Sequence, residues 1–277
     1  MPAEDNTGAS PVRDDRVLPV TRAVAFAIVP FLVVAFAVLY PYPPDTGRLF
    51  AWAIRPAMSA MVLGSAYLGG AYFFVRAGRA AAWHTVKGGF VPVGVFASLM
   101  GIATVLHWGL FSHRHVAFWL WAFLYFTTPV LIFAVWIANR RYGSVPQPGE
   151  ALLPRIAVWV IAGAGVLALV MGVVLFAGAA SAPGWWPWHL SPLTARVLGA
   201  IFCLGVAGIG APLDRRWSSA RIPVQVAGVM LVLILAAGIR AGGEFDPHNA
   251  LTWILAAGFT GVTAALAGLY VRMERQP

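Results

Sequence analysis

The sequence predicts an all-α, polytopic transmembrane bundle of eight spans, and three observations carry that prediction. The 277 residues are 60% hydrophobic and only 10% charged, whereas a soluble domain carries roughly a quarter of charged residues. Eight apolar runs follow one another along the chain, each near the ~20 residues that a helix needs to cross a bilayer. Basic residues are dense in alternate connections and sparse in the others, the charge asymmetry expected of a multi-pass protein.

Taken in order, the runs fall at 22–41, 55–75, 86–108, 115–138, 156–178, 192–212, 222–240 and 249–271. They are apolar on every side, so they lack the polar and apolar alternation of a membrane barrel strand. Helices are the remaining way for the backbone to satisfy its own hydrogen bonds in lipid. The first run contains Pro30, the third Pro92 and the fourth Pro129, each expected to kink its helix. Pro56 and Pro192 instead sit at the openings of the second and sixth runs, where a missing N–H costs nothing. Ala257, Gly261 and Ala265, spaced by four, predict a close-packing face on the last helix.

A rival reading exists for the start of the chain. Arg16 and Arg22, followed by apolar residues and Ala35-Phe36-Ala37, resemble a signal peptide with a small-residue cleavage site. The apolar run continues through Tyr40, which favours a retained first span. Residues 1–20, polar and without periodicity, are expected to form a disordered cytoplasmic tail.

Charge sets the orientation. Of the 19 Lys and Arg, only Arg48, Arg55, Arg114, Arg196 and Arg240 fall on one side, and the other fourteen fall on the opposite side. Both termini are therefore expected in the cytoplasm of a bacterial cell, with the bundle in its inner membrane. The net charge of +9 is a topology signal, so anionic lipids on the cytoplasmic side are the expected partners and nucleic acid is not. A protein partner or a homo-oligomer stays open. All 12 tryptophans fall near expected span ends, the headgroup level their rings prefer. Trp83, Trp136, Trp159 and Trp217 lie on the cytoplasmic side.

The sequence also matches itself. An offset of 136 pairs Trp52 with Trp188, Pro56 with Pro192, Gly69 with Gly205 and Arg79 with Arg215. After a two-residue deletion, an offset of 134 pairs Lys87 with Arg221, Gly109 with Gly243, Phe111 with Phe245 and Trp119 with Trp253. These matches predict a four-plus-four internal repeat, with halves at 21–142 and 156–271, a cytoplasmic linker at 143–155 and a short tail at 272–277. Halves with an even number of spans share one orientation, which makes a site on their common axis natural.

The strings His107-Trp108, Asn139-Arg140-Arg141, Trp186-Pro187-Trp188 before Ser191-Pro192-Leu193-Thr194-Ala195-Arg196, and Asp214-Arg215-Arg216-Trp217 resemble multi-pass membrane proteins of high-GC bacteria. That resemblance covers most of the chain beyond the tail. It implies an eight-helix bacterial membrane protein and carries no catalytic residue over.

The chemistry-bearing residues lie at the ends of the spans or beyond them. None of the ten carboxylates is deep in a run, which disfavours a pump driven by a midplane carboxylate. No Ser/His/Asp arrangement, HExxH or phosphate loop is evident. The lone Cys203 excludes a disulfide or a thiolate cage within the chain. Five of six histidines (His107, His113, His115, His189 and His248) cluster at outer ends, with His84 alone on the cytoplasmic side. Glu244 and Asp246 occupy the outer connection that aligns with the one carrying His113 and His115.

Arg196 and Arg240 lie just inside the outer boundary, where an anionic ligand is conceivable. Together these residues define a candidate outer vestibule. Three readings follow: a small-molecule or lipid transport or binding module, or accessory subunit, without enzymatic activity; a redox protein holding haem, Zn or Cu on the outer histidines; and a lipid-modifying enzyme with His113, His115, Glu244 or Asp246 as acid and base.

Overall fold

The computed structural model describes residues 14–144, 146 and 148–276. Eight helices in it are long and apolar enough to cross a membrane. They are α1 (Pro19–Leu39), α2 (Ala57–Arg79), α3 (Lys87–Leu106), α4 (Val116–Asn139), α5 (Arg155–Ala177), α6 (Pro192–Ile209), α7 (Trp217–Arg240) and α8 (Ala250–Glu274). Each overlaps one of the expected runs. The described residues contain no strand, only two isolated bridges. The protein is thus an all-α integral membrane bundle.

Short connections make successive helices run in opposite directions, so both ends of the chain share one face, here called the terminal face; the other is the distal face. The α2 helix is the most buried of the eight and packs against α1, α6 and α7. The α3 helix packs against α4 and α6, while α5 pairs with α6 and α7 with α8. The largest core lies towards the distal face, where Trp52, Trp121, Trp186 and Trp188 are all buried. Edge-to-face ring contacts order this layer, as for Trp52 and Trp121 at 4.8 Å.

Three expectations need correction. Pro223 also lies inside a helix, because α7 starts at Trp217 rather than near 222. The small residues of α8 are not a packing face: Ala257, Gly261 and Ala265 are exposed, and a Cβ added at Gly261 meets nothing within 4 Å. Close approach occurs between α5 and α6 instead. A Cβ at Gly165 would come to 2.5 Å from the carbonyl oxygen of Gly205, and one at Gly172 to 2.8 Å from that of Gly199. This contact runs along the part of α6 that tightens into a 3-10 turn at Cys203–Gly205.

The third correction concerns the first 20 residues, of which 1–13 lie outside the described residues. Residues 14–18, expected in a disordered tail, are held by Asn139, fully buried at the end of α4. Its Nδ2 donates to the Arg16 carbonyl at 3.0 Å, while its Oδ1 accepts from Leu18 N at 3.3 Å and from Thr21 Oγ1 at 2.5 Å. One amide thus ties the stretch before α1 to the first turn of that helix and to the end of α4.

Contacts recur at the offsets seen in the sequence. The bridge Arg16 to Ala82 has a counterpart in Leu152 to Arg216. Trp83 N donates to Asp15 O at 2.7 Å, and Trp217 N to Ala151 O at 2.8 Å. On the distal face, Ser112 N donates to Ala51 O and Asp246 N to Pro187 O. The indole of Trp119 donates to His113 O as that of Trp253 does to Pro247 O, and His115 and Asn249 cap α4 and α8 alike. The Trp52–Phe111 and Trp188–Phe245 ring pairs stand 5.1 and 5.2 Å apart.

Candidate functional site

Polar chemistry concentrates on the terminal face, at the seam between the α2–α3 and α6–α7 connections. Two devices bring it together. The Asn139 anchor fixes the strand-like stretch before α1, and the Arg16 to Ala82 bridge lays that stretch along the α2–α3 connection. Asp15 is thereby set against His84, whose backbone N–H donates to Asp15 Oδ1 at 3.0 Å and whose Nδ1 contacts Asp15 Oδ2. On its other edge, His84 Nε2 lies 3.1 Å from Ser218 Oγ, in the first turn of α7.

The tautomer follows from these partners. A carboxylate only accepts, so Nδ1 carries the proton, and Nε2 presents its lone pair to the Ser218 hydroxyl. Burial raises the Asp15 pKa, but the hydrogen bonds from His84 and Ser144 outweigh that, and the group rests below its ordinary value. The imidazole is buried. Asp15, His84 and Ser218 therefore form the acid, base and hydroxyl series that sequence inspection finds missing. His84 was visible as the one histidine on the terminal side; its partners were not.

A second layer surrounds the series. Ser144 Oγ lies 3.1 Å from His84 Nδ1 and accepts from Arg216 Nη1 at 2.8 Å. Arg216 is only 2% exposed, and it grips Asp214 through Nε at 2.9 Å and Nη2 at 2.8 Å. Lys87 Nζ stands 3.0 Å from the same carboxylate, and Ser219 Oγ donates to it at 3.0 Å. Burial raises the Asp214 pKa, yet Arg216 and Lys87 carry it far below the usual carboxylate range. Such two-pronged pairing is the geometry guanidinium groups favour.

Beside Ser218 opens a cavity of about 300 Å³, lined by Arg76, Arg79, Arg221, Thr85, Ile222 and the Ala80–Ala82 stretch. Arg76 Nη1 donates to Tyr72 Oη at 2.8 Å and to Gln225 Oε1 at 3.0 Å, both uncharged partners. Arg221 pairs with Glu274. Arg79 is exposed and makes no ion pair or side-chain hydrogen bond among the described residues. Three guanidinium groups against one carboxylate leave this cavity strongly positive.

On the distal face the candidate vestibule residues take separate partners. Arg196 Nη1 contacts His107 Nε2; burial and that arginine lower the His107 pKa, leaving a neutral acceptor. Arg240 donates to the carbonyls of Tyr40 and Pro41, both at 2.8 Å. Glu244 accepts from Ala57 N at 2.9 Å and Met58 N at 2.8 Å, capping α2. Asp246 accepts from His248 N, His115 caps α4, and the His113 ring packs on Trp108 and Phe118. His189 is exposed. Among the described residues, no side-chain hydrogen bond or ion pair joins an imidazole to Glu244 or Asp246, and no group of three His, Cys, Asp or Glu is placed to hold a metal ion.

Fold and site together define a multi-pass helical membrane protein with a buried polar seam at one face. Comparison with protein-family models, with curated proteins and with solved structures gives no match.

Proposed function

We propose that the protein is a duplicated membrane module that binds a phosphate-bearing anion on its terminal face, between its two halves. The observation that carries this reading is the cavity of about 300 Å³ with Arg76, Arg79 and Arg221 on its walls. Its volume suits a phosphate or a phospholipid headgroup, and planar guanidinium forks match phosphate oxygens in pairs. The paired contacts at offsets of 136 and 134 support the duplication, and the basic excess on this face supports a cytoplasmic position. Assigning the site here moves it from the distal vestibule, whose charged groups already hold backbone and side-chain partners.

The test uses the full-length protein in detergent, with phosphatidylglycerol and inorganic phosphate as separate probes. Arg79→Ala should weaken binding at least about tenfold, the loss of one charge-assisted hydrogen bond of about 1.5 kcal/mol or more. Binding of phosphatidylglycerol displaced by inorganic phosphate indicates that the phosphate group suffices. Lipid binding that phosphate does not displace indicates a headgroup held with its chains. Unchanged affinity for both probes in Arg79→Ala and Arg76→Ala would overturn the reading.

A further inference from the structure

The seam holds more than a charge cradle. Ser218 lines the cavity, and its hydroxyl oxygen stands 3.1 Å from an imidazole whose far nitrogen is held by a carboxylate. An ordinary serine needs neither partner to cap a helix or face water. Aligned in this order, carboxylate, imidazole and hydroxyl are the parts that make a hydroxyl nucleophilic: the imidazole removes its proton, and the carboxylate orients the ring and steadies its positive charge.

We propose that Ser218 is the nucleophile of a phosphoryl-transfer site, with His84 as general base and acid and Asp15 as its positioning carboxylate. The inference deepens the anion-binding reading and rests on it for the substrate class, a phosphodiester of a headgroup type. Ser218 Oγ attacks phosphorus while its proton passes to His84 Nε2. The bond from phosphorus to the leaving alcohol breaks, and the departing oxygen takes the proton from His84. Water then attacks the serine-bound phosphorus, giving a proton to His84, and Ser218 Oγ leaves and recovers it. Asp15 stays ionised throughout. The arginines on the walls face the phosphoryl oxygens, where charge is held during transfer.

The positions of the pair add a second argument. At the offset of 134 that relates Ala82 to Arg216 in the two bridges, His84 corresponds to Ser218. Equivalent positions of the two halves thus meet each other at the seam, one as imidazole and one as hydroxyl. The counterpart of Asp15 at the offset of 136 is Ala151, so only the imidazole half carries the acid. A purely structural seam would be served by two like residues; this one has an acceptor and a donor in the order that nucleophile activation needs.

A fluorophosphonate probe tests the step directly, because an activated serine displaces fluoride from phosphorus and keeps the phosphonyl group. Full-length protein in detergent should gain one adduct, located on the peptide containing Ser218 and absent from Ser218→Ala. His84→Gln should slow labelling at least a hundredfold. Because buried His84 also supports the fold, Asp15→Asn gives an independent arm, expected to slow labelling at least tenfold. Inorganic phosphate should protect the wild-type protein. No adduct on wild-type protein that still binds phosphate overturns the nucleophile and leaves the binding reading standing. Labelling unchanged in Asp15→Asn and His84→Gln overturns the activation. An adduct formed at Ser218 by a protein that binds neither phosphate nor phosphatidylglycerol upholds the nucleophile and removes the anion reading, and with it the substrate class.

Discussion

Arg216 and Asp214 show how a membrane protein keeps charge buried beside its site. Each guanidinium prong finds an oxygen, and Lys87 and Ser219 complete the carboxylate. Removing Asp214 takes away the carboxylate that Arg216 grips and leaves Glu150 at 4.0 Å as a more distant counter-charge, so the cost stays below the ~3–5 kcal/mol of a wholly uncompensated buried charge. Asp214→Ala should therefore lower the thermal transition of the detergent-solubilised protein markedly, while Asp45→Ala, at an ion pair of 3.8 Å with exposed Arg48, should barely move it. The pH dependence has a definite sign. Asp214 and Asp15 both have folded pKa values below their ordinary 3.8, so their stabilisation is complete above that value. It is lost as pH falls through 3.8 towards the depressed folded values. A thermal series between pH 7 and pH 3 should stay flat at first and drop only at its acid end, and the drop should shrink in Asp214→Ala.

Among the elements, α5 and α6 bring backbone against backbone, and glycine is what lets them. Without a strong hydrophobic drive in lipid, helices gain from backbone-to-backbone packing over small residues. Gly165 and Gly172 on α5 meet Gly205 and Gly199 on α6, with added Cβ atoms falling within 2.9 Å of backbone. Gly165→Ala should cost about 1–3 kcal/mol through forced separation of the pair. Gly163→Ala, on the same helix with nothing within 4 Å of its Cβ, should be neutral or stabilising by up to about 1 kcal/mol from helix propensity. Thermal stability of the two variants side by side checks this; equal losses would mean that α5 and α6 do not pack as described. The sequence pointed to small residues on α8 because their spacing is regular. Spacing alone does not say which helix lies opposite, and in a chain with 29 glycines several helices offer such a stripe.

For the whole molecule, what was legible depended on distance along the chain. Spans follow from local apolar runs, so all eight helices were readable, with α7 displaced by several residues because Trp217 and Ser218 are not apolar enough to extend its run. The seam was not readable by local inspection: Asp15 and His84 are 69 positions apart, and His84 and Ser218 are 134 apart. Only the self-match could have brought His84 and Ser218 together, through the equivalent Trp83 and Trp217 next to them. The distal residues were visible as polar groups at span ends, but the backbone groups that occupy them were not. Orientation is the remaining global property, and it decides which compartment supplies the ligand. Cys203 is buried, so a Cys203→Ser background permits single-cysteine labelling at exposed Arg114 on the distal face and exposed Pro146 on the terminal face. With fourteen of the basic residues on the terminal side, a membrane-impermeant maleimide should label Arg114→Cys in intact cells and Pro146→Cys only after permeabilisation. The reverse pattern would turn the bundle over and open the arginine cavity to the outside, and labelling of both from outside would contradict the single crossing, α4, that separates them.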